Sequence, residues 1–269
     1  PRTKGVGGGG SKSEGHPRTL GRNDRLAMLT GCVQRGLLGR VNEATRRVLA
    51  ANGYAVVEVP NQVCCGAIHS HNGDLAGARE LARANIRAFE ALEFDFIAVN
   101  AAGCGAALKD YPPLLEDDEA FAERARTLAE KVRDVSELLS GEDLRQGGTL
   151  PLKVTYDAPC HLLHAQRISQ EPLDLLDSIP GLERIPLQGD DECCGGAGIY
   201  GITHPELGGS ISRDKVAAIL ATGAQAVATG NPGCMMQIGA GLRMAGSRIE
   251  VVHPIELLDE SYRRGGVYS

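Results

Sequence analysis

A chain of 269 residues with 42% hydrophobic and 23% charged side chains has the make-up of a soluble globular protein, long enough for two domains of ordinary size. A net charge of −6, aromatics at 4% and no tryptophan exclude a basic phosphate-binding surface and a base-stacking platform, so no nucleic-acid partner is expected. No apolar run approaches the roughly 18 residues that a membrane span needs, so membrane contact is expected only through partners.

Residues 1–24 are rich in glycine, serine and charge, with Gly7, Gly8, Gly9 and Gly10 running into Ser11-Lys12-Ser13, and read as a flexible tail or linker. His16 reads as a solvated side chain within it. The chain begins without methionine, which reads as a piece of a longer protein. Residues 25–30 are a short apolar run, the signature of a buried parallel strand, and end at Gly31-Cys32. A helix is predicted over 38–51, with Val41, Ala44, Val48 and Leu49 on one face and a stop at Asn52-Gly53. A strand over 54–59, a helix over 74–91 and a strand over 94–100 follow. Residues 114–139 read as helical with one break, and their acidic run 116–119 as a solvated helix start. Glycines in 140–150 mark a boundary between a first domain, 25–145, and a second, 150–269.

The second half repeats the order. Strands are predicted over 153–157, 182–187, 224–229 and 251–253, and helices over 171–177, 210–221, from 235, and over 255–262. Alternating strands and helices predict an α/β protein of two tandem, pseudo-symmetric lobes, each a mostly parallel sheet flanked by helices.

All eight cysteines fall into the same repeat. Cys64-Cys65-Gly66 and Cys193-Cys194-Gly195-Gly196 are vicinal pairs, with Cys32 and Cys160 ahead of them and Cys104 and Cys234 behind. The leading intervals are 31 and 32 residues and the trailing ones 38 and 39. That is a tandem duplication with four cysteines per copy. Each cysteine follows a predicted strand, and parallel sheets gather ligands outside the carboxyl ends of their strands. Metal or cluster ligation is favoured over disulfides, because a vicinal disulfide is strained and no signal peptide is present; a reducing, cytoplasmic setting follows. Thiolates suit zinc or iron–sulfur. The pairs are directly adjacent rather than C-x-x-C, a spacing that straddles a larger cluster more readily than one small ion. Gly66, Gly195 and Gly196 are candidate cofactor-binding positions, where the backbone can approach closely and its amides can donate to sulfur.

The double pattern resembles the cysteine-rich CCG-domain family, and within it the iron–sulfur subunits of the glycolate oxidase type, with the cysteine-rich component of heterodisulfide reductase as a relation. The carrying stretches are Thr30-Gly31-Cys32, Ala102-Gly103-Cys104-Gly105, Pro159-Cys160-His161, Cys193-Cys194-Gly195-Gly196-Ala197-Gly198 and Gly230-Asn231-Pro232-Gly233-Cys234. The resemblance implies an electron-transfer subunit without substrate chemistry of its own. It would serve a flavin-dependent 2-hydroxy-acid dehydrogenase, of the glycolate or lactate type, whose FAD sits on a partner subunit. The implied ligands are Cys32, Cys64, Cys65, Cys104, Cys160, Cys193, Cys194 and Cys234. The implied cofactor is a 4Fe-4S cluster, with zinc in one lobe left open. Relatives of this type carry a ferredoxin-like domain upstream; here it is expected to have been lost upstream or to be supplied by a partner. Heterodisulfide reductase modules end in C-x-x-C, whereas Ala107 and Gln237 stand at those positions, which speaks against a five-cysteine site and leaves open a four-cysteine cluster, zinc in one lobe or an emptied site. Two other readings stay open: a thiol–disulfide redox enzyme acting through Cys160-His161 and the vicinal pairs, and a zinc-stabilised scaffold. His161 and His164 read as helix-terminal hydrogen-bonding groups, His69 and His71 as loop residues, His204 as structural and His253 as a satisfied core or strand-end histidine. Met235 and Met236 read equally as packing against a cluster or within the core.

Overall fold

The computed structural model describes residues 21, 23–141 and 144–268; the tail predicted over 1–24, with His16, lies almost wholly outside the described residues. The first half runs β1 (Arg25–Met28), α1 (Cys32–Leu37), α2 (Gly39–Ala51), β2 (Ala55–Glu58), α3 (Ala67–His71), α4 (Leu75–Glu90) and β3 (Phe96–Val99). It continues through α5 (Ala102–Lys109), α6 (Tyr111–Leu114), α7 (Ala122–Glu130), β4 (Val132–Asp134) and α8 (Val135–Leu138). The second half runs β5 (Leu152–Tyr156), a π-helix (His161–Ala165), α9 (Glu171–Asp177), β6 (Leu182–Ile185), α10 (Tyr200–Thr203) and α11 (Pro205–Ala221). It closes with β7 (Ala226–Ala228), α12 (Pro232–Met244), β8 (Glu250–Val252) and α13 (Pro254–Arg264).

Among the described residues the strands form two four-stranded sheets, ordered β2-β1-β3-β4 and β6-β5-β7-β8, and every pairing is parallel. The two orders are the same under the duplication. Leu26 pairs with Val56 on one side and Phe96 on the other; in the second lobe Val154 pairs with Arg184 and Ala226. The strand period of two then sorts side chains by face. Leu26, Phe96 and Ala98 point inward, and Ala27, Ile97 and Val99 outward.

The inward faces of both sheets close on one shared core. Helices α2, α8, α9 and α13 fill it with Val48, Leu49, Leu138, Leu176, Leu258 and Tyr262. Outer helices cover the other faces: Ile86 and Phe89 of α4 and Leu128 of α7 in the first lobe, Val216 and Ile219 of α11 and Ile238 of α12 in the second. The segment between the sheets is tied down as well, with Gly148 N–H donating to Ser261 O at 2.7 Å and Leu150 N–H to Pro180 O at 2.7 Å.

Two expectations need correction. His69 and His71, read as loop residues, lie in the short helix α3, which is too brief to show a period in sequence. Residues 114–139 are not a broken helix, because the edge strand β4 and the short α8 lie within them. Three residues, Val132-Arg133-Asp134, make the strand, too few for a period-two signal to stand out between helical neighbours. Its partner in the other lobe, β8, is equally short but follows a turn, which makes it visible. Among the described residues no helix is long and apolar enough to cross a membrane.

Candidate metal centre

Every cysteine lies in the segment that follows the carboxyl end of a strand. Cys32 opens α1 after β1, Cys104 lies in the first turn of α5 after β3, and Cys64-Cys65 occupy the loop after β2. In the second lobe Cys160 precedes the π-helix after β5, Cys193-Cys194 follow β6, and Cys234 lies in the first turn of α12 after β7. Parallel pairing aligns these strand ends, so residues far apart in sequence meet.

The four sulfurs of the first lobe meet in a succession of contacts. Cys32 Sγ is 3.5 Å from Cys64 Sγ, Cys64 contacts Cys65, and Cys65 Sγ is 3.4 Å from Cys104 Sγ. The second lobe repeats the succession, with Cys160 against Cys193, Cys193 against Cys194, and Cys194 against Cys234. None of the eight is in a disulfide. Among the described residues no three cysteine, histidine or carboxylate groups close on one point in the manner of a single-ion site. Cys32 is exposed, whereas Cys65, Cys194 and Cys234 are buried, so each quartet is anchored inside and the first opens to solvent at Cys32.

Backbone amides point at the sulfurs in the same way in both lobes. The N–H of Gly66 donates to Cys64 and that of Ala67 to Cys65; Gly195 N–H donates to Cys193 Sγ at 3.3 Å and Gly196 N–H to Cys194. Two of the three glycines singled out from the sequence take left-handed backbone, Gly66 at φ 86° and Gly195 at φ 84°, the conformation that turns successive amides inward. Gly196 does not, and serves through its N–H.

The thiols differ electrostatically. Burial and sulfur contacts push Cys32 up, and the hydrogen-bonded pairs push Cys64 and Cys65 further in the same direction. In the second lobe the contacting thiols are pushed in opposite directions. Cys193 is held far below the usual thiol range by hydrogen bonds from Cys160 and Cys194, then by Gly195 N–H and the charge of Lys215, while Cys160 and Cys194 are raised in return. A thiolate in a chain of donors is the state in which a soft metal is taken up.

Several residues that support the quartets went unrecognised in the sequence. In the first lobe Asn85 of α4 holds the loop of Cys64 and Cys65, its Nδ2 donating to Cys64 O at 2.9 Å and its Oδ1 accepting from Val63 N–H at 2.9 Å. Tyr111 OH donates to Cys65 O at 3.0 Å. In the second lobe Lys215 of α11 does the corresponding work, with Nζ donating to Gly189 O at 2.6 Å and lying 2.8 Å from Asp157 Oδ1. The pair is 3% and 1% exposed. The signal that could have found them is a polar residue in an apolar register: Asn85 between Ala82 and Phe89, Lys215 beside Val216 and Ile219.

The histidines divide. His161 packs its Nδ1 3.6 Å from Cys160 Sγ and stacks on His71 of the first lobe, ring centroids 5.3 Å apart. His253 is buried and caps α13, accepting from Ile255 N–H at 3.1 Å, in keeping with a core role.

A two-lobed α/β scaffold with a vicinal cysteine pair and two further thiols at the strand ends of each lobe defines a duplicated cysteine-rich protein. The chain belongs to the CCG family, described as a cysteine-rich domain, whose profile matches residues 26–109 and 154–239. It is 40% identical over 242 residues to the "Probable glycolate oxidase iron-sulfur subunit" of Bacillus subtilis (strain 168), a match covering 88% of this chain and 54% of the relative. It is 29% identical over 241 residues to "Lactate utilization protein A" of Exiguobacterium sp. (strain ATCC BAA-1283 / AT1b), covering 89% of this chain and 98% of the relative. The chain thus spans about half of the first relative and nearly all of the second. Among solved structures, a hypothetical protein from Helicobacter pylori shares the fold, with a TM-score of 0.59 at 9% identity over 93% of this chain and 51% of that one.

Proposed function

We propose that this chain is an iron–sulfur electron-transfer subunit of a flavin-dependent 2-hydroxy-acid dehydrogenase complex, of the glycolate or lactate type. The observation that carries it is the pair of all-thiol quartets, each with two backbone N–H groups aimed at its vicinal sulfurs. The names of the relatives supply the hydroxy acid. The donor set fits the group. Each lobe offers four soft thiols and no harder donor among them, which suits iron–sulfur, and amide donors to sulfur are the usual means of setting a cluster's potential.

The residues that would hold it are Cys32, Cys64, Cys65 and Cys104 in the first lobe and Cys160, Cys193, Cys194 and Cys234 in the second, as 4Fe-4S centres. Such a centre supplies storage of one electron at a time. The chain's own residues fix the sulfurs, exclude water from the buried ones and leave Cys32 at the surface for exchange with a partner. The flavin, as FAD, belongs to the partner that oxidises the hydroxy acid. The complex works in the reducing cytoplasm and reaches any membrane through that partner.

Anaerobically prepared protein should be brown and yield iron and acid-labile sulfide, both reduced by Cys65→Ser and by Cys194→Ser separately. Colourless protein without iron or sulfide after anaerobic reconstitution overturns the reading; zinc in their place selects the scaffold. The depressed Cys193 thiol beside Cys160 favours a second reading, a thiol–disulfide enzyme, whose activity on a disulfide substrate would survive chelation of the metal.

A further inference from the structure

Asn231 stands at the N-cap of α12, three residues before Cys234, yet makes no capping bond to its own helix. An asparagine there ordinarily accepts from the second or third amide of its helix. Its side chain is turned to the other lobe instead. Oδ1 accepts from Gly103 N–H at 3.1 Å, and Nδ2 lies 3.4 Å from Cys234 Sγ as donor. Beside it, Ala102 N–H donates to Gly230 O at 3.0 Å. Ala102 and Gly103 are the first two residues of α5, whose third is Cys104. The free N-terminal amides of the first lobe's ligand helix are therefore satisfied by the second lobe's ligand loop. The amide plane is wedged between two glycines: a Cβ on Gly103 would lie 3.3 Å from Asn231 Oδ1, and one on Gly233 3.3 Å from Nδ2.

We propose that Asn231 is a positioning residue that couples the two centres, capping the helix of Cys104 with its oxygen and hydrogen-bonding the sulfur of Cys234 with its nitrogen. The first lobe dictates the arrangement. Gly103 N–H requires an acceptor, which fixes Oδ1 toward it and obliges Nδ2, a donor, to face Cys234. A donor at a ligating sulfur favours the more negative, reduced state. The duplicate position in the first lobe is Ala101, which has no such group, so the two centres are tuned unequally and the bridge is one-sided. This coupling rests on the iron–sulfur reading, and the test keeps the two apart.

The informative variant is Asn231→Asp, which keeps an oxygen for Gly103 N–H and puts a second oxygen, an acceptor, against Cys234. In anaerobically reconstituted whole chain, an EPR-monitored redox titration should show the second-lobe centre tenfold harder to reduce, a fall of 59 mV for one electron. Asn231→Ala should move it the same way by less. Full iron and sulfide content with unmoved potentials in both variants overturns the proposal. Absence of iron and sulfide in the parent chain overturns the iron–sulfur reading instead, and the clamp is then judged on metal-free, reduced protein. There Asn231→Ala should speed iodoacetamide labelling about tenfold at Cys234, whose sulfur loses the side chain that covers it, and also at Cys104 in the other lobe, whose helix start loses its cap, with Cys65 unchanged. Acceleration of all three, of Cys234 alone, or of none overturns the coupling.

Discussion

At the scale of single residues, two positions carry consequences that the chemistry of their type makes measurable. Gly195 and Gly196 are neighbours in one glycine run, but only Gly195 has a positive φ, and a Cβ there would run into Gly208 O and lie 3.0 Å from Ser212 N. A Cβ on Gly196 would meet nothing closer than 3.5 Å. Gly195→Ala should therefore cost about 3 kcal/mol or more, and Gly196→Ala no more than about 1 kcal/mol, in denaturant melts. Equal effects would show that the left-handed turn is not what the first glycine supplies. His253 is the second case. It is fully enclosed between Ile255 N–H, which it accepts, and the Asn100 carbonyl, to which it donates, and burial holds its pKa down to about 4 against an ordinary 6.5. The folded state thus keeps it neutral while the unfolded chain takes up a proton. Its contribution is complete above pH 6.5 and is lost as pH falls toward 4, by roughly 3 kcal/mol at 1.36 kcal/mol per pKa unit. His253→Asn keeps a capping oxygen without the titration. The parent should lose stability over that window more steeply than the variant, whose curve should be flatter by about that amount; parallel curves would sink the assignment.

Elements show how far a sequence read alone reaches. The strands that lead into cysteines were legible because most are apolar runs closed by glycine or proline, and the duplicated spacing cross-checks one lobe against the other where, as in Leu182-Glu183-Arg184-Ile185 of β6, the run itself is polar. Short elements were not: α1, α3, α5, α10 and the π-helix are set by tertiary packing of the ligand loops, with too few residues to display a period. Nor were the buried polar anchors, because a single Asn or Lys in a helix reads as solvent-facing until its register is known. Those anchors differ between lobes. Helix α4 holds its loop with neutral Asn85, itself bonded to Tyr111 OH at 3.0 Å. Helix α11 uses the Lys215–Asp157 ion pair, in which Thr229 Oγ1 also donates to Asp157 at 3.2 Å. Removing Lys215 leaves a buried carboxylate whose pKa burial already raises. Lys215→Met should cost roughly 3–5 kcal/mol, and the double variant with Asp157→Asn distinctly less, since no charge is then stranded. An additive double variant would mean that the two charges do not act as a pair.

The molecule as a whole is two lobes in sequence and one body in packing. A duplication invites the picture of independent domains joined by a linker, but the inward faces of both sheets share one core. Its seam is α2 against α13. Arg47 grips Asp259 with two hydrogen bonds of 2.8 and 2.7 Å, and Tyr262, with no exposed surface, exchanges hydrogen bonds with Asn52 at 3.0 and 3.2 Å. Asn52 Oδ1 also accepts from Arg145 N–H at 3.0 Å, which fastens the connecting segment to the same seam. Opening it would expose apolar surface on both sides at once, so neither lobe can melt while the other keeps its inner face covered. Calorimetry should show one transition with equal calorimetric and van't Hoff enthalpies. Tyr262→Ala should cost roughly 3–5 kcal/mol, and hydrogen exchange in that variant should weaken protection in β1 and β3 of the far lobe as much as in β5 and β7. Two resolved transitions, or loss confined to the second lobe, would show that the shared core does not bind the halves into one cooperative unit. The thiol quartets would then be free to move apart, and a bridge such as Asn231 would have no fixed geometry to transmit.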